Sequence, residues 1–530
     1  MRGILFIVFF TFLQPSLKAV DNYKRNPLLD VINYTFGISI SDSSNIIFGE
    51  TKILLRLKDG ISKMEFDLKN IRPDGKGMVV DSILFTECQI KWIHSGNKIL
   101  ISPLMTLNRD TEGTLKICYH GIPSDGLIIS PNKFGARSFF SDHWPDRAGN
   151  YLPCIDHPYD KASVDFIITS PSHYEIVASG YLVEESHLKG DVKLTHWKED
   201  VPLATKVMAF GAADFDFRLE GFNDKIPVWT YVFKENSKEG FHDYSVALKP
   251  IKFFSELIGQ YSYEKLANVQ SETTFGGLEN AGCIFYNENS VTGNGKAESL
   301  LTHEIAHQWF GNSVTENDWH HVWLSEGFAT YLTSVYFEMN YGKERLAQEM
   351  NSDREQVIKY YLKSPGPVID TAITNLMRLL SVNSYQKGAW VLHMLRCELG
   401  DEIFWKGMRS YYEKYKNKNA MTPDFEKAME EVSGKDLAYF FHQWLYVAGQ
   451  PELKITYKPF KKEGVTEITV EQTQEPLFRF PLVLLINSQY GTLREKIQIS
   501  ERMTNVKVNT AGVVDIIPDP EVNLLFRKVN

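Results

Sequence analysis

The sequence predicts a multidomain α+β protein with an N-terminal β domain, a mostly helical central domain and a small C-terminal β-sandwich. Three observations support this. Short alternating runs fill residues 30–225, apolar residues recur at helical spacing over 240–447, and alternation returns after Pro451. The 530 residues are 43% hydrophobic and 23% charged, a globular composition with enough length for several cores.

Strand patterns define the first domain, predicted to span residues 20–225. Runs such as Thr51–Leu57 and Ala162–Ile168 are rich in aliphatic and β-branched side chains, and Gly, Asp, Asn and Pro separate them. This part of the chain is therefore expected to be β-rich.

Helical periodicity defines the second domain, predicted to span residues 226–447. One predicted helix runs from Tyr244 to Ile258 and ends before Gly259, and another runs from Gln386 to Leu399 and ends at Gly400. The chemistry is expected in this domain.

The third domain is predicted to span residues 448–530 as a small antiparallel β-sandwich. Its predicted strands are Leu453–Tyr457, Val465–Val470, Leu482–Ile486 and Lys496–Ile499.

The first 19 residues are predicted to be a secretory signal peptide. Arg2 gives a positive start, Ile4–Leu13 is nearly all apolar, and Ala19 lies at a small-residue exit, although a buried strand or helix is the alternative. The apolar run is too short to span a bilayer, and no later segment is long and apolar enough. We therefore expect a secreted or periplasmic protein with no integral membrane segment in the mature chain.

Charge and cysteine content exclude some classes of function. The net charge of −9 is spread along the chain without a Lys/Arg block, so nucleic acid is not an expected partner. The five cysteines form no CxxC pair. A Cys88–Cys118 disulfide is conceivable, and free thiols explain all five equally well.

A metal site is predicted at His303-Glu304-Ile305-Ala306-His307. Residues four apart share one helix face, so the imidazoles of His303 and His307 can bind one ion, and zinc prefers such ligands. Glu304 lies beside the first ligand and can accept a proton from an attacking water. Gly311 offers a helix stop.

Glu326 is the predicted third ligand. It lies in an apolar, small-residue helical pattern where an unpaired charge is unfavourable, and a divalent cation would compensate it. Taken alone, Glu326 could instead stabilise a helix start. Together the three side chains predict one Zn²⁺ per chain. His320 and His321 have no partner at helical spacing and are expected to be loop or wall residues rather than a second metal site.

The sequence resembles the gluzincin aminopeptidases, the family of aminopeptidase N and the leukotriene-hydrolysing aminopeptidase. In that family eighteen residues separate the second His from the liganding Glu, as they do between His307 and Glu326. The stretch Tyr151–Pro158 is similar to the family's Pro-Cys-x-Asp-x-Pro segment, so the likeness covers most of the chain. The resemblance implies a saddle-shaped N-terminal β-sheet domain and a thermolysin-like catalytic domain.

A second motif of the family is similar to Gly276-Gly277-Leu278-Glu279-Asn280, with Leu where the family has Met. The resemblance implies that Glu279 binds the substrate α-ammonium, and that Gly276, Gly277 and Asn280 line the substrate site. In isolation such a segment is more often a loop with a solvated acid.

Tyr385 belongs to a Tyr-x-Lys-Gly segment like the family's, which implies that its hydroxyl stabilises the tetrahedral intermediate. Without the resemblance it would be a packing residue. Two departures stand out: Ser325 replaces an Asn, which should change hydrogen bonding around the ligands, and no amine-binding Gln or Glu is evident between Asp142 and Arg147. The family's large helical C-terminal domain is not evident either, so a more open cleft is expected.

These features predict a zinc aminopeptidase that removes the N-terminal residue from peptides carrying a free N-terminus, with Glu304 as general base and Tyr385 as the second catalytic residue. A zinc endopeptidase would share the metal motif but needs no amine anchor. A catalytically silent peptide-binding zinc protein is the alternative from another class. No residue pattern specifically supports the lipid epoxide hydrolysis known in the family.

Overall fold

A computed structural model describes residues 21–460 and 464–529. The predicted signal peptide, 1–19, lies outside these ranges. Within them, no helix combines the length and apolar character needed to cross a bilayer.

The N-terminal region consists of three sheets. A seven-stranded sheet has the order β12-β13-β10-β1-β2-β7-β4, a four-stranded sheet the order β11-β14-β9-β8, and a three-stranded sheet the order β3-β6-β5. The strands are β1 Leu29–Ser39, β2 Ile47–Leu57, β3 Met64–Asp67, β4 Gly77–Phe85, β5 Ile90–Ser95, β6 Lys98–Pro103, β7 Glu112–Ile122, β8 Leu127–Pro131, β9 Arg137–Ser141, β10 Lys161–Pro171, β11 Glu175–Ala178, β12 Tyr181–Leu188, β13 Val192–Ala204 and β14 Phe210–Ala213.

Alternation along the strands explains this packing. In β2, every second residue from Ile47 to Leu57 is buried, and β10 alternates in the same way. One face of the large sheet therefore covers the core. The strands in this sheet pair antiparallel except β1 and β10, which are parallel.

The central region joins a five-stranded sheet, ordered β15-β16-β17-β19-β18, to nine α-helices among the described residues. Its strands are β15 Phe215–Asn223, β16 Ile226–Phe233, β17 Leu266–Ser271, β18 Gly277–Leu278, β19 Cys283–Asn287, β20 Val314–Glu316 and β21 Lys418–Ala420. Its helices are α1 Ser237–Tyr244, α2 Leu248–Leu257, α3 Glu298–Ala306, α4 Trp323–Tyr341, α5 Lys343–Tyr361, α6 Gly388–Leu399, α7 Asp401–Tyr415, α8 Thr422–Ser433 and α9 Ala438–Phe441. β15, on the N-terminal side of the predicted boundary at 225, pairs with β16 in this sheet.

The two helices predicted from periodicity differ from the structure at their starts. The first is interrupted by a 3₁₀ turn at Ser245–Ala247, and α2 begins anew with Pro250 in its first turn, where a missing N–H is tolerated. The second begins with a π-helical turn, Asn383–Lys387, and α6 ends at the predicted stop, Gly400, whose φ is +81°.

The C-terminal region forms two sheets, ordered β26-β23-β22-β28 and β25-β24-β27. The strands are β22 Glu452–Phe460, β23 Val465–Gln472, β24 Phe480–Ser488, β25 Gly491–Ile499, β26 Met503–Val508, β27 Val513–Pro518 and β28 Arg527–Val529. The α+β arrangement with a β-rich start, a helical centre and C-terminal strands is confirmed. One detail was wrong: β28 pairs parallel with β22, so the region is not wholly antiparallel.

All five cysteines lie in the described ranges and are free thiols. The conceivable Cys88–Cys118 bridge is therefore absent. The register explains this, because Cys118 pairs with Ser82 of β4, whereas Cys88 lies beyond the end of that strand at Phe85.

Candidate active site

The two histidines of the metal motif lie at the end of α3. His303 is in the helix and His307 follows it as the C-cap, still with helical angles of φ −57° and ψ −24°. The helix thus ends earlier than the predicted stop at Gly311. The expected convergence holds nonetheless, because the Nε2 atoms of His303 and His307 lie 3.1 Å apart.

Glu326 reaches the same point from the first turn of α4. Its Oε2 lies 3.2 Å from His307 Nε2 and 3.6 Å from His303 Nε2. One ligand atom from each residue lies within 4.8 Å of the others, the only such His/Cys/Asp/Glu group among residues 21–460 and 464–529. Two imidazoles and one carboxylate are the donor set that hydrolytic zinc sites use.

The charges of these three side chains depend on one another. Burial alone would raise the pKa of Glu326, yet the two imidazoles hold it below its usual value. Burial alone would lower the pKa of His307, and the Glu326 carboxylate instead raises it to about 9. The Glu326 carboxylate therefore requires a positively charged partner, either a protonated imidazole or a metal ion.

The outer nitrogen of His307 is also held. Ser325 Oγ lies 3.0 Å from His307 Nδ1, and the carbonyl of Phe310 lies 3.2 Å from it. Ser325, noted as a departure from the family pattern, thus contacts a ligand of the site. Gly311 has a φ of +122°, and a side chain there would overlap Ser325 Oγ.

Glu304 points from α3 toward the glycine segment and is 6% exposed. A Cβ on Gly277 would overlap its carboxylate, so only glycine allows β18 to pass this close. Gly276 lies under no such constraint, because the nearest atom to an added Cβ is Leu300 Cδ1 at 3.7 Å. Burial, with Glu279 and Glu326 nearby, raises the pKa of Glu304 to about 8.

Glu279 and Asn280 follow β18, the edge strand of the five-stranded sheet. Glu279 is 5% exposed, and its Oε1 has no hydrogen-bond partner among the described residues; the same holds for Asn280 Nδ2. A buried, unpaired carboxylate beside the metal triad is unfavourable unless a ligand donates to it.

Tyr385 approaches the triad from the π-helical turn before α6. Its ring stacks on His303, with centroids 6.0 Å apart. Burial and the carboxylates Glu326, Glu279 and Glu304 raise its pKa well above the usual value, so the hydroxyl stays protonated. The metal-motif histidines, Glu326 and Tyr385 therefore meet at one place, with the carboxylates of Glu279 and Glu304 near them.

The N-terminal region contributes the segment that contains Asp142 and Arg147. Arg147 pairs with Asp142, and its guanidinium lies 5.7 Å from the ring centroid of Phe275, beside Gly276. Trp144 packs on the same ring at 6.4 Å. Among the described residues this segment supplies no Gln or Glu to the site.

His320 and His321 take part in packing. His320 contacts Asp318 Oδ1 at 3.0 Å and the Ile373 carbonyl at 3.1 Å, and His321 contacts Thr422 Oγ1 at 2.8 Å.

Two functional candidates were not identified from the sequence. The side-chain amides of Gln308 and Asn312 both donate to the backbone carbonyl of Glu279, at 2.8 and 2.5 Å. The available signal was their nearness to His307, which Gln308 follows directly and Asn312 follows five positions later. Their partner lies about thirty residues upstream, and periodicity does not show such a contact.

Comparisons with known proteins agree with this geometry. Residues 243–444 match the Peptidase family M1 domain and residues 31–207 match the Peptidase M1 N-terminal domain. Relatives include Aminopeptidase M1-A of Oryza sativa subsp. japonica, 29% identical over 68% of this chain, and Glutamyl aminopeptidase of Homo sapiens, 29% identical over 62%. Probable aminopeptidase 2 of Sulfurisphaera tokodaii is 27% identical over 84%.

The matched parts cover 43%, 35% and 61% of these three proteins, so the chain spans between about a third and three fifths of their length. Both family domains occur in order along the chain, and the second contains the converging His303, His307 and Glu326. The chain therefore belongs to peptidase family M1, the gluzincin aminopeptidases.

Proposed function

We propose that this protein is a zinc-dependent aminopeptidase that releases the N-terminal residue of peptides. One observation carries the proposal. The buried carboxylate of Glu279, with an unpaired oxygen, lies beside a convergent His303, His307 and Glu326 triad. An aminopeptidase needs this combination because it must bind an ammonium group at a fixed distance from the bond it cuts.

The residues present fit one zinc ion held by His303, His307 and Glu326. Bound zinc would supply the Lewis acid that activates water and polarises the scissile carbonyl. Ser325 and the Phe310 carbonyl would keep His307 oriented with its Nε2 toward the ion, because both contact Nδ1.

Glu304 acts as general base in this proposal. Its carboxylate takes a proton from the attacking water and later delivers it to the leaving amine. Burial favours this role, because it raises the proton affinity of the carboxylate toward that of the groups it must exchange protons with.

Tyr385 and Glu279 bind opposite ends of the reacting unit. The protonated Tyr385 hydroxyl donates to the oxygen that becomes negative, and the Glu279 carboxylate accepts from the substrate α-ammonium. Asn280, the next residue, has a buried Nδ2 without a hydrogen-bond partner in the described part of the chain.

The free edge of β18 supports binding of an extended peptide. β18 pairs only with β19 within the described sheet, so its other side can pair with a substrate backbone. Gly277 lets β18 lie directly beside Glu304, because a Cβ at this position would overlap the Glu304 carboxylate.

A paired substrate test decides the proposal. Aminoacyl amides and peptides with free N-termini should be hydrolysed, their N-acetylated counterparts should not, and a chelator should abolish turnover. Glu279→Ala should reduce the preference for free N-termini by about 10²-fold, the order expected for a lost charge-assisted hydrogen bond. Glu272→Ala is the control, since this acid precedes the same loop and accepts from Ser130 and Ser138.

Three outcomes would contradict the proposal. Cleavage of an N-blocked, internally quenched peptide would indicate an endopeptidase. Stoichiometric zinc without turnover of any substrate would indicate a silent binding protein. An unchanged preference in Glu279→Ala would remove the amine anchor.

We further propose that the protein acts outside the cytoplasm, on the basis of residues 1–19 alone. Expression with and without these residues, followed by fractionation, tests this. Equal retention of both forms in the cytoplasm would contradict it.

A further inference from the structure

Two residues that follow the metal motif, Gln308 and Asn312, contact the loop that carries Glu279. Gln308 Nε2 and Asn312 Nδ2 donate to one acceptor, the Glu279 carbonyl, at 2.8 and 2.5 Å. Both side chains are buried, with exposures of 1% and 0%. Two donors on one buried carbonyl fix its position in two directions.

Gln308 also holds the other end of the same loop. Its Oε1 accepts from the Gly282 N–H at 2.9 Å, so one amide spans the segment from Glu279 to Gly282. A bond from the Cys283 N–H to the Asn280 carbonyl, at 3.0 Å, closes the turn directly after this segment. The Gln308 side chain therefore holds both ends of this loop in place.

The same two residues are tied to a metal ligand. Gln308 follows His307 in the chain, and the Asn312 N–H donates to the His307 carbonyl at 3.1 Å. A continuous path of covalent and hydrogen bonds thus connects His307 to the Glu279 backbone. The Glu279 carboxylate has an unpartnered oxygen among the described residues, so its location depends on where the backbone is held.

We propose that Gln308, assisted by Asn312, is a positioning residue that sets the distance between the metal triad and the ammonium-binding carboxylate of Glu279. This distance determines that the cut falls one residue from the free N-terminus. Gln308 itself touches neither metal ligand nor ammonium, because both of its amide atoms are bonded to backbone. The inference rests on the proposed function of Glu279.

Gln443 provides a matched control. It is 5% exposed, and its amide likewise donates to and accepts from backbone, at 2.8 Å to the Arg479 carbonyl and 2.9 Å from the Arg479 N–H. It lies in the turn at His442–Tyr446 and contacts Arg479, the residue before β24, rather than the site. Gln443→Met removes an equivalent pair of bonds without affecting the loop at Glu279.

The experiment compares Gln308→Met and Gln443→Met in the full chain for zinc content, thermal unfolding, kcat, KM and preference for free over N-acetylated substrates. Gln308→Met should keep stoichiometric zinc, raise KM at least about tenfold and lower the preference about tenfold, because a misplaced anchor weakens binding more than chemistry. Gln443→Met should change only the unfolding temperature.

Gln308→Glu covers the case in which Gln308→Met does not fold. It keeps the shape and the acceptor for Gly282 and removes the donor to Glu279, so the same shift in KM and preference is expected. In a Glu279→Ala background, Gln308→Glu should cause no further loss of preference, since the anchor is already gone.

The outcomes separate the two proposals. If Glu279→Ala abolishes the preference but both Gln308 variants keep wild-type KM and preference, the positioning role is wrong and the function stands. If Gln443→Met shifts KM and preference equally, the effect is general destabilisation and the inference fails. If Glu279→Ala leaves the preference unchanged, the proposed function itself fails.

Discussion

Glu304 is the residue whose replacement separates metal binding from chemistry. Glu304→Gln keeps the side-chain shape against Gly277 but cannot accept a proton, so turnover should fall about 10²- to 10⁴-fold. Zinc content should not change, because the three ligand atoms come from other residues. Zinc analysis with aminoacyl-amide kinetics tests this, with His307→Ala as the variant expected to lose both. Normal turnover in Glu304→Gln would remove Glu304 as base.

Asp160 gives the protein a pH dependence that is independent of the active site. It is 8% exposed, and burial, with Asp30 nearby, raises its pKa from 3.8 to about 8. Between about pH 4 and 8 the folded protein therefore holds a proton that the unfolded chain has already released, so this contribution to stability is lost as pH rises through that window.

Asp160→Asn removes this charge, so the variant should gain on wild type as pH rises from 5 to 8, by an amount on the order of a few kcal/mol. Denaturant unfolding at both pH values measures the difference. Asp59→Asn, at an exposed carboxylate, should follow wild type. Parallel pH profiles for wild type and Asp160→Asn would refute the raised pKa.

Sequence reasoning works at this scale where function depends on local spacing. His303 and His307 are four apart, so helix geometry alone predicts their convergence, and the structure shows it. The bonds of Gln308 to the Glu279 loop could not be foreseen, because an amide can pair with any carbonyl that the fold brings near.

At the scale of elements, the contact of α4 with α6 brings Tyr385 to the triad. A Cβ on Gly327 would lie 2.9 Å from Gly388 Cα and 3.0 Å from the Ser384 carbonyl oxygen. Backbone atoms cannot move aside as side chains do. Glycine at both positions therefore permits the helices to approach closely.

Gly327→Ala should separate α4 from the turn that holds Tyr385. We expect a loss of roughly 1–3 kcal/mol in the free energy of unfolding, typical of overpacking, together with a lower kcat. Gly60→Ala is the control, because its added Cβ would lie 3.6 Å from the nearest atom, the Leu107 carbonyl oxygen. Unchanged unfolding and kcat in Gly327→Ala would show that the contact does not position Tyr385.

Element types were predictable, whereas the starts of the two predicted helices were not. Period-two and period-3.6 patterns identify the strands of the first and third regions and the helices of the second. The 3₁₀ interruption at Ser245–Ala247 and the π-turn at Asn383–Lys387 depend on tertiary packing, which periodicity does not report.

At the scale of the whole molecule, a buried ion pair joins the N-terminal region to the catalytic region. Lys206 lies in a 3₁₀ turn after β13, Glu316 lies in β20, and their side chains are 1% and 0% exposed. The pair is 110 residues apart in sequence, so neither charge could be assigned a partner beforehand. Lys161 adds to this interface by donating to the carbonyls of Asn312 and Ser313.

Breaking this pair tests whether the two regions unfold together. Lys206→Met leaves the Glu316 carboxylate buried without its cation, which should cost about 3–5 kcal/mol, and adding Glu316→Leu should recover most of the loss. Burial raises the pKa of Glu316, so the cost of keeping this carboxyl buried without its cation grows with pH, and the loss in Lys206→Met should be smaller at pH 5 than at pH 8. Denaturant unfolding at both pH values measures this.

If Lys206→Met instead melts the N-terminal region alone, in a separate transition that leaves the catalytic region unchanged, the ion pair does not couple the two regions. A double variant no more stable than Lys206→Met would show that the lost stability has another origin.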